Sequence, residues 1–561
     1  MSEPLFDPLV WLILLPLAWA TLALVLGPGR GAWPAIAGLT AQCWLAFDLA
    51  QKVGAYGTAG HAVGGWGAPL GIDLAVDGLS AAMLLLTQTV ALPLAIYARI
   101  YFKADDPAGA WFWPLTGFLI AGLNALFVSA DLFNLYVTLE LVGLAAVGLV
   151  AAGGGAQQVA AALRYLFATL VGSGAYLLGV ALIYGVYGTV SIATLLPLVT
   201  DDAPRLAWIA GGLMVAGLML KTALFPFHFW LPPAHGGAPA PVSALLSALV
   251  VKASFYLILR LWLGPFAPLA AAIAWLPALL GSAAILWGSW RAIRAERLKL
   301  LVAWSTVAQL GYLFLIFPLL AERGPALAAG VMQAVSHGLA KAAMFAAAGV
   351  VIHVTGRDTV AGVAGRLPLT LFAFALAGVT LMGLPPSGGF LAKWLLIDAA
   401  LAQGAWALAA VVIAGGLLAA VYVFRVLRQA FLDAPAVEAA HPAPPLLEWT
   451  AFALAAASVF LLVIVVLFRW GREVGLAQGP QRGTLRVIWP WLLFLALFAA
   501  SALNAGLPPA SITLFILAGC AQPLAQTPAA EPQEEPAEEI APEPTIGTPD
   551  ACVNPLLPVR A

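Results

Sequence analysis

Apolar runs of about 20 residues follow one another along almost the whole chain, and that feature settles what it can fold into. The segments between them cannot clothe a soluble domain. Of 561 residues, 63% are hydrophobic and 9% charged, against roughly 25% charged in an ordinary globular chain. Each run is long enough to cross a bilayer as a helix, and none has the two-residue alternation of a barrel strand. The fold class is therefore an all-α membrane protein.

Spans are read near 8–27, 33–50, 78–99, 111–130, 131–152, 163–187, 206–224, 239–263, 268–290, 299–319, 325–353, 367–403, 405–430 and 448–468, which makes about fourteen, with a fifteenth near 487–504. The first run lacks a basic leader and reads as a retained span. Lys and Arg concentrate on inward loops when the N-terminus lies outside, the Arg291–Lys299 cluster among them. Arg469, Arg472, Arg482 and Arg486 break that pattern near the C-terminus. Residues 521–561 are rich in Pro and Glu and read as a disordered acidic tail. LFILAGC, ending at Cys520, has the form of a lipobox, but such a box works behind an N-terminal signal; an apolar end before a tail is the default reading.

Composition also excludes functions. A net charge of -1 gives no basic footprint for nucleic acid. Three cysteines are too few for an Fe–S cluster, which takes about four thiolates. No P-loop or dinucleotide fingerprint occurs, and the histidines are poorly arranged for haem. The sequence thus predicts no cofactor and no metal.

The informative residues are ionisable groups inside the apolar runs: Glu140, Lys221, Lys252, His337, Lys341 and Lys393. A charge at the centre of a spanning helix costs about 2.5–3.5 kcal/mol on insertion scales. Ion pairing that glues helices together would explain one such residue. It does not explain four lysines set against one deep glutamate. Lysines in dry sites exchange protons more readily than lysines in water, and a row of them linked by waters forms a proton relay. Glu140 is suited to hold one protonated lysine, and His337 and Lys341 lie four apart on one helix face.

Two spans are broken. Pro226 follows Lys221 in ALFPFHFWLPP, and Pro385, Pro386, Gly388 and Gly389 precede Lys393 in GLPPSGGF. Broken helices at membrane depth survive where they are buried in protein or line a cavity. Paired breaks five spans apart point to inverted repeats with ion sites at the breaks. The expected organisation is N-terminal helices over 1–110, repeats over 111–263 and 268–430, C-terminal helices over 431–520, and the tail over 521–561.

At these residues the chain resembles the antiporter-like membrane subunits shared by Mrp-type cation/proton antiporters, complex I and membrane-bound hydrogenases. The resemblance runs from about 70 to 430 and rests on DLFNLYVTLE (131–140), KTALFPFHFWLPPAHGGAPAPVSALLSALVVK (221–252), RLKLLVAWSTVAQLGY (297–312), SHGLAKAAMF (336–345) and GLPPSGGFLAKWLL (383–396). It implies two inverted five-helix repeats, with Glu140 and Lys221 as an ion pair, Lys252 in the middle and Lys393 at an exit half-channel. His337 and Lys341 match polar positions on the helix bridging the second repeat. Lys299 matches a lysine at the inward end that an acidic residue often precedes; Arg297 stands there instead.

LFNLYV before Glu140, and a lysine at 393, lean toward the D-type chain of Mrp antiporters. The stretch around Pro226 leans toward complex I and the hydrogenases. The implied function is proton movement within a multi-subunit Mrp-type antiporter in the bacterial inner membrane, with Na+ or K+ as the coupled cation and other integral membrane subunits as partners. The alternative is a proton-pumping subunit of complex I (NADH:quinone oxidoreductase) or of a hydrogenase. A stand-alone solute transporter would need a solute pocket that the sequence lacks.

Overall fold

The computed structural model describes residues 7–68, 71–103, 106–322, 325–360, 367–431 and 442–460. The end of the fourteenth expected span, the fifteenth span, Arg469 and the arginines after it, Cys520 and the acidic tail lie outside the described residues.

Helices begin where aspartates punctuate the apolar runs. Asp7 caps α1 (Pro8–Leu26), Asp77 caps α3 (Gly78–Tyr101), Asp106 caps α4 (Pro107–Val128) and Asp131 caps α5 (Leu132–Ala151). Each carboxylate accepts an N–H of the first turn at 2.7–2.9 Å, and such caps contribute about 1 kcal/mol apiece. Proline at the first position of α1 and α4 needs no N–H partner there. Between them runs α2 (Ala32–Tyr56).

The chain continues through α6 (Ala156–Tyr187), α7 (Arg205–Lys221), a break, and α8 (Leu231–Gly237). Next comes α9 (Ala240–Leu263), which holds a π-helical turn over Leu246–Val250. Then follow α10 (Trp275–Arg294), α11 (Leu298–Phe314), α12 (Pro325–Thr355), α13 (Pro368–Met382), a second break, α14 (Gly388–Ala402), α15 (Trp406–Leu427) and α16 (Pro445–Phe460). Two five-member series share one order of lengths. Each has its longest helix third, α6 with 32 residues and α12 with 31, and its broken pair fourth.

Among the described residues, nine helices are long and apolar enough to cross a membrane singly. The expected fourteen is not reached on that measure, in part because α7, α13 and α14 are each cut short at a break. One local feature departs from the all-α reading. Strands β1 (Ala59–Ala62) and β2 (Asp73–Val76) form an antiparallel hairpin between α2 and α3. Four-residue strands carrying Gly, His and Asp give no apolar alternation to read. His61, which carries no signal as a loop residue, pairs there with Asp7 at 2.9 Å.

Backbones touch at glycines. A Cβ on Gly217 of α7 would lie 2.2 Å from the Gly172 carbonyl of α6, and one on Gly311 of α11 would lie 2.3 Å from the Gly281 carbonyl of α10. Small residues at such crossings replace the hydrophobic drive that lipid cannot supply. Pro16 in α1 leaves the Leu12 carbonyl without its helical N–H, and the amides of Asn124 (2.7 Å) and Gln42 (3.4 Å) donate to it instead.

A clamp joins the start of α3 to the end of α9. Arg260 grips both Asp77 oxygens at 2.5 Å, and also donates to the Ser80 hydroxyl at 2.7 Å and the Tyr256 hydroxyl at 2.8 Å. Burial alone would raise the pKa of Asp77, but the Arg260 and Ser80 contacts outweigh it and hold the carboxyl below its ordinary 3.8. The folded pKa lies under the unfolded one, so this stabilisation is complete above the unfolded value and fades as pH falls through the folded value. Asp77→Ala is predicted to cost about 2 kcal/mol near neutral pH, between the loss of a cap and the rupture of a buried pair. Thermal unfolding in detergent checks this, and the gap between variant and parent should narrow below pH 4, near the ordinary 3.8 of the carboxyl.

Candidate functional site: a buried row of lysines

Glu140 lies in the middle of α5, and Lys221 is the last residue of α7. Their side chains meet at 3.2 Å, with 17% of the Glu140 side chain and 6% of the Lys221 side chain exposed. Glycines make room for the lysine. A Cβ at Gly172 would stand 2.9 Å from Lys221 Cγ, and one at Gly143 would stand 3.6 Å from its Nζ. Beyond Lys221 the helix opens at Phe225–Pro226, a cis peptide. The indole of Trp230 donates to the Leu220 carbonyl at 2.9 Å, so one backbone acceptor at the break is satisfied inside the protein.

A small cavity adjoins Lys221. Its walls include Gly143, Thr169, Trp230, Val250 and Ser254, and at about 10 Å³ open to water centres it has room for roughly one water. Val250 and Ser254, four residues apart on one face of α9, close its far side.

Lys252 is wholly buried and has no carboxylate partner among the described residues. Its Nζ donates to the Ser247 carbonyl, five residues back. The π-turn in α9 ends beside this lysine, and such turns loosen the usual ladder of backbone bonds. The Ser247 hydroxyl pairs with the Thr306 hydroxyl of α11 at 2.9 Å, and Thr306 donates to the Val302 carbonyl at 3.0 Å. Lys341 of α12 donates to that same carbonyl at 3.1 Å and to the Ser305 hydroxyl. Lys252 and Lys341 thus share neighbouring residues, although the Ser247 carbonyl and hydroxyl make separate bonds and the Val302 carbonyl only accepts.

His337, one turn before Lys341, is buried, and both its ring nitrogens lack a hydrogen-bond partner among the described residues. It sits within electrostatic reach of Lys252, Lys341 and Lys393. A buried imidazole without protein partners marks a place for water.

Lys393 belongs to α14, just past the second break, where Pro385–Pro386 is cis. Its Nζ donates to the Leu381 carbonyl at 2.5 Å and lies 4.5 Å from the centre of the Tyr312 ring. Gln309 also donates to Leu381 at 3.1 Å, and Gln333 donates to Gln309 Oε1 at 3.1 Å. Val302, Ser305, Thr306, Gln309 and Tyr312 recur at helical spacing, so α11 offers one polar face from Lys341 to Lys393.

Sequence reasoning missed this face, together with Ser247, Gln333 and His235. His235 is fully buried, with neither ring nitrogen hydrogen-bonded among the described residues. The signal available was STVAQLGY, whose polar residues fall one, four and seven apart in an apolar helix. At the inward end Arg297 does replace the expected acid, but Asp358 supplies a carboxylate from another loop. It accepts from Arg297 Nε at 2.9 Å and caps the Lys299 N–H at 2.9 Å, while Lys299 Nζ donates to the Ala238 carbonyl. Among the described residues, no group of three His, Cys, Asp or Glu side chains could hold a metal ion.

Broken helices and a file of buried cations define the class: an antiporter-like, multi-pass membrane chain. Residues 129–419 match the family described as "NADH:quinone oxidoreductase/Mrp antiporter, TM", and the chain belongs to that family. It is 38% identical to NADH-quinone oxidoreductase subunit N of Desulforudis audaxviator (strain MP104C), over 68% of this chain and 78% of that one. It is 27% identical to the D-type Na(+)/H(+) antiporter chain of Bacillus subtilis (strain 168), over 76% of this chain and 85% of that one. A chain of the Mrp complex from Dietzia sp. DQ12-45-1b superposes with a TM-score of 0.76 at 27% identity, covering 82% of this chain and 94% of that one.

The glycine gap behind Lys221 gives a direct test. A Cβ at Gly172 would also come within 2.8 Å of the Gly217 carbonyl, so α6 and α7 must separate to admit it. Gly172→Ala is predicted to destabilise by about 1–3 kcal/mol, as overpacking does. It should also move Lys221 away from Glu140. Unfolding in detergent measures the first effect, and cysteine cross-linking between α5 and α7 measures the second.

Proposed function

We propose that this chain is the proton-translocating membrane subunit of a multi-subunit monovalent cation/proton antiporter, and that protons pass along Glu140, Lys221, Lys252, His337, Lys341 and Lys393. The observation that carries this reading is the mismatch of charges. Four buried lysines occupy the row. Among the described residues only Lys221 of these meets a carboxylate, and the others rest on backbone carbonyls and hydroxyls. Such contacts hold a lysine in place without fixing its proton.

In this reading Glu140 keeps Lys221 charged while the pair is closed. Opening the pair frees Lys221 to pass a proton through the adjoining cavity toward Lys252. Water beside His337 then carries the proton from Lys252 to Lys341, whose ammonium is held by the Val302 carbonyl and the Ser305 hydroxyl, and Lys393 receives the proton at the second break. The two helix series, taken as 111–263 and 268–430, would each contribute one break and its lysine. Other integral membrane subunits are the partners, the coupled cation is Na+ or K+ in a neighbouring subunit, and the location is the bacterial inner membrane.

A second reading has its own support. The 38% identity to an NADH-quinone oxidoreductase subunit N favours the same relay working inside a redox-driven complex. Purifying the chain with its neighbours separates the two. Flavin and Fe–S chains in the assembly favour the redox complex, and small hydrophobic subunits alone favour the antiporter.

Lys221→Ala in the intact complex is predicted to abolish proton-coupled transport in inverted membrane vesicles while leaving assembly normal. Full transport by a well-expressed variant would refute the relay. Lys393 discriminates further. Arginine keeps the charge but does not release a proton at working pH, whereas glutamate reverses the charge yet still titrates. Transport by Lys393→Arg should therefore fall below that of Lys393→Glu at matched expression. The opposite order would make Lys393 a structural cation.

A further inference from the structure

A second polar site lies away from the row of lysines, at the end of the bundle where α1 and α3 finish and α2 and α4 start. By the charge of the loops this is the inward face. A cleft of about 80 Å³ opens there between the turn at Pro28–Gly29, the end of α3 and the first turn of α4. Arg99 and Lys103 line it, Arg30 follows in the same turn, and Phe102 and Trp113 form its back wall.

Among the described residues, the charged groups lining the cleft are both cationic. Neither Arg99, Lys103 nor Arg30 has an ion pair among the described residues. The nearby carboxylate of Asp106 caps the Ala108 N–H at 2.9 Å and lines the neighbouring cleft beside Lys299. Arg99 is held 5.8 Å from the centre of the Trp33 ring, which keeps its guanidinium at the level of the membrane boundary. α1 ends just before the Pro28–Gly29 wall of the cleft, and its last residues are apolar and exposed, Val25 at 78% among them.

We propose that this cleft binds the phosphate of an anionic phospholipid, with Arg99 and Lys103 as its ligands and the acyl chains lying along α1. Paired cations in a pocket between spanning helices suit a phosphate through charge-assisted hydrogen bonds. The exposed apolar end of α1 leading into this turn suits a lipid rather than a soluble anion. Trp33, exposed and stacked near Arg99, stands where a headgroup meets its chains.

The test uses the full chain purified with its complex and placed in phosphatidylcholine nanodiscs containing a graded fraction of phosphatidylglycerol. Phosphatidylglycerol retained after transfer to detergent is counted by native mass spectrometry. The parent should retain one tightly held molecule, and Arg99→Gln/Lys103→Gln should hold it about thirtyfold more weakly, as removal of two near-surface cations implies. Arg291→Gln/Arg294→Gln removes two cations elsewhere on the same face and should leave that molecule in place. Equal loss in both double variants would mean diffuse surface attraction and overturn the site. Retention by Arg99→Gln/Lys103→Gln would overturn it as well. Inorganic phosphate that displaces the lipid at equal concentration would make this a soluble-anion site and defeat the lipid assignment. If the double variant assembles poorly, Lys103→Gln alone should show a smaller, roughly fivefold weakening, and no weakening there would overturn the proposal.

Discussion

Lipid offers a backbone no hydrogen bonds, so each interrupted helix must find its partners inside the protein. This requirement organises the molecule. The carbonyl of Leu220 at the first break takes the Trp230 indole, and that of Leu381 at the second takes Lys393 and Gln309. The carbonyl that Pro16 deprives of its N–H draws amides from two other helices. A break in this chain is therefore a point where several helices converge, and the polar groups gathered there are the ones available for chemistry.

The same requirement explains how lysines survive at depth. Lys252, Lys341 and Lys393 each land on a carbonyl that the surrounding helix leaves accessible. Hydroxyls of Ser247, Ser305 and Thr306 fill the spaces between them. Within the row, among the described residues, only the Glu140–Lys221 contact is an ion pair in the ordinary sense, and it lies at one end. Charge is thus fixed strongly at that end and loosely elsewhere.

Much of this was legible in the sequence because its cost is visible there. A lysine within an apolar run stands out, as does a proline beside it, and so Lys221, Lys252, Lys341 and Lys393 could be named before any coordinates. The aspartates that start α1, α3, α4 and α5 were not read as caps, because acids in loops between spans carry no cost that singles them out. What stayed hidden carries little cost per residue. Serine and threonine satisfy themselves on their own helix, so nothing in STVAQLGY reveals which neighbour its polar face meets. Asp358 was hidden for another reason. It reaches Arg297 as well as the Lys299 N–H, the latter from 59 positions further along the chain.

The close approach of Gly281 and Gly311 has a mechanical consequence. α11 touches α10 backbone to backbone at that crossing, while its polar face is turned toward Lys341 and Lys393. Turning α11 by one residue would swing that face through about 100°, and the crossing would have to part before it could turn. The helix is held like a rail rather than mounted like a rotor. If the row carries protons as proposed, this crossing favours switching by the long, jointed lysine side chains over rotation of α11.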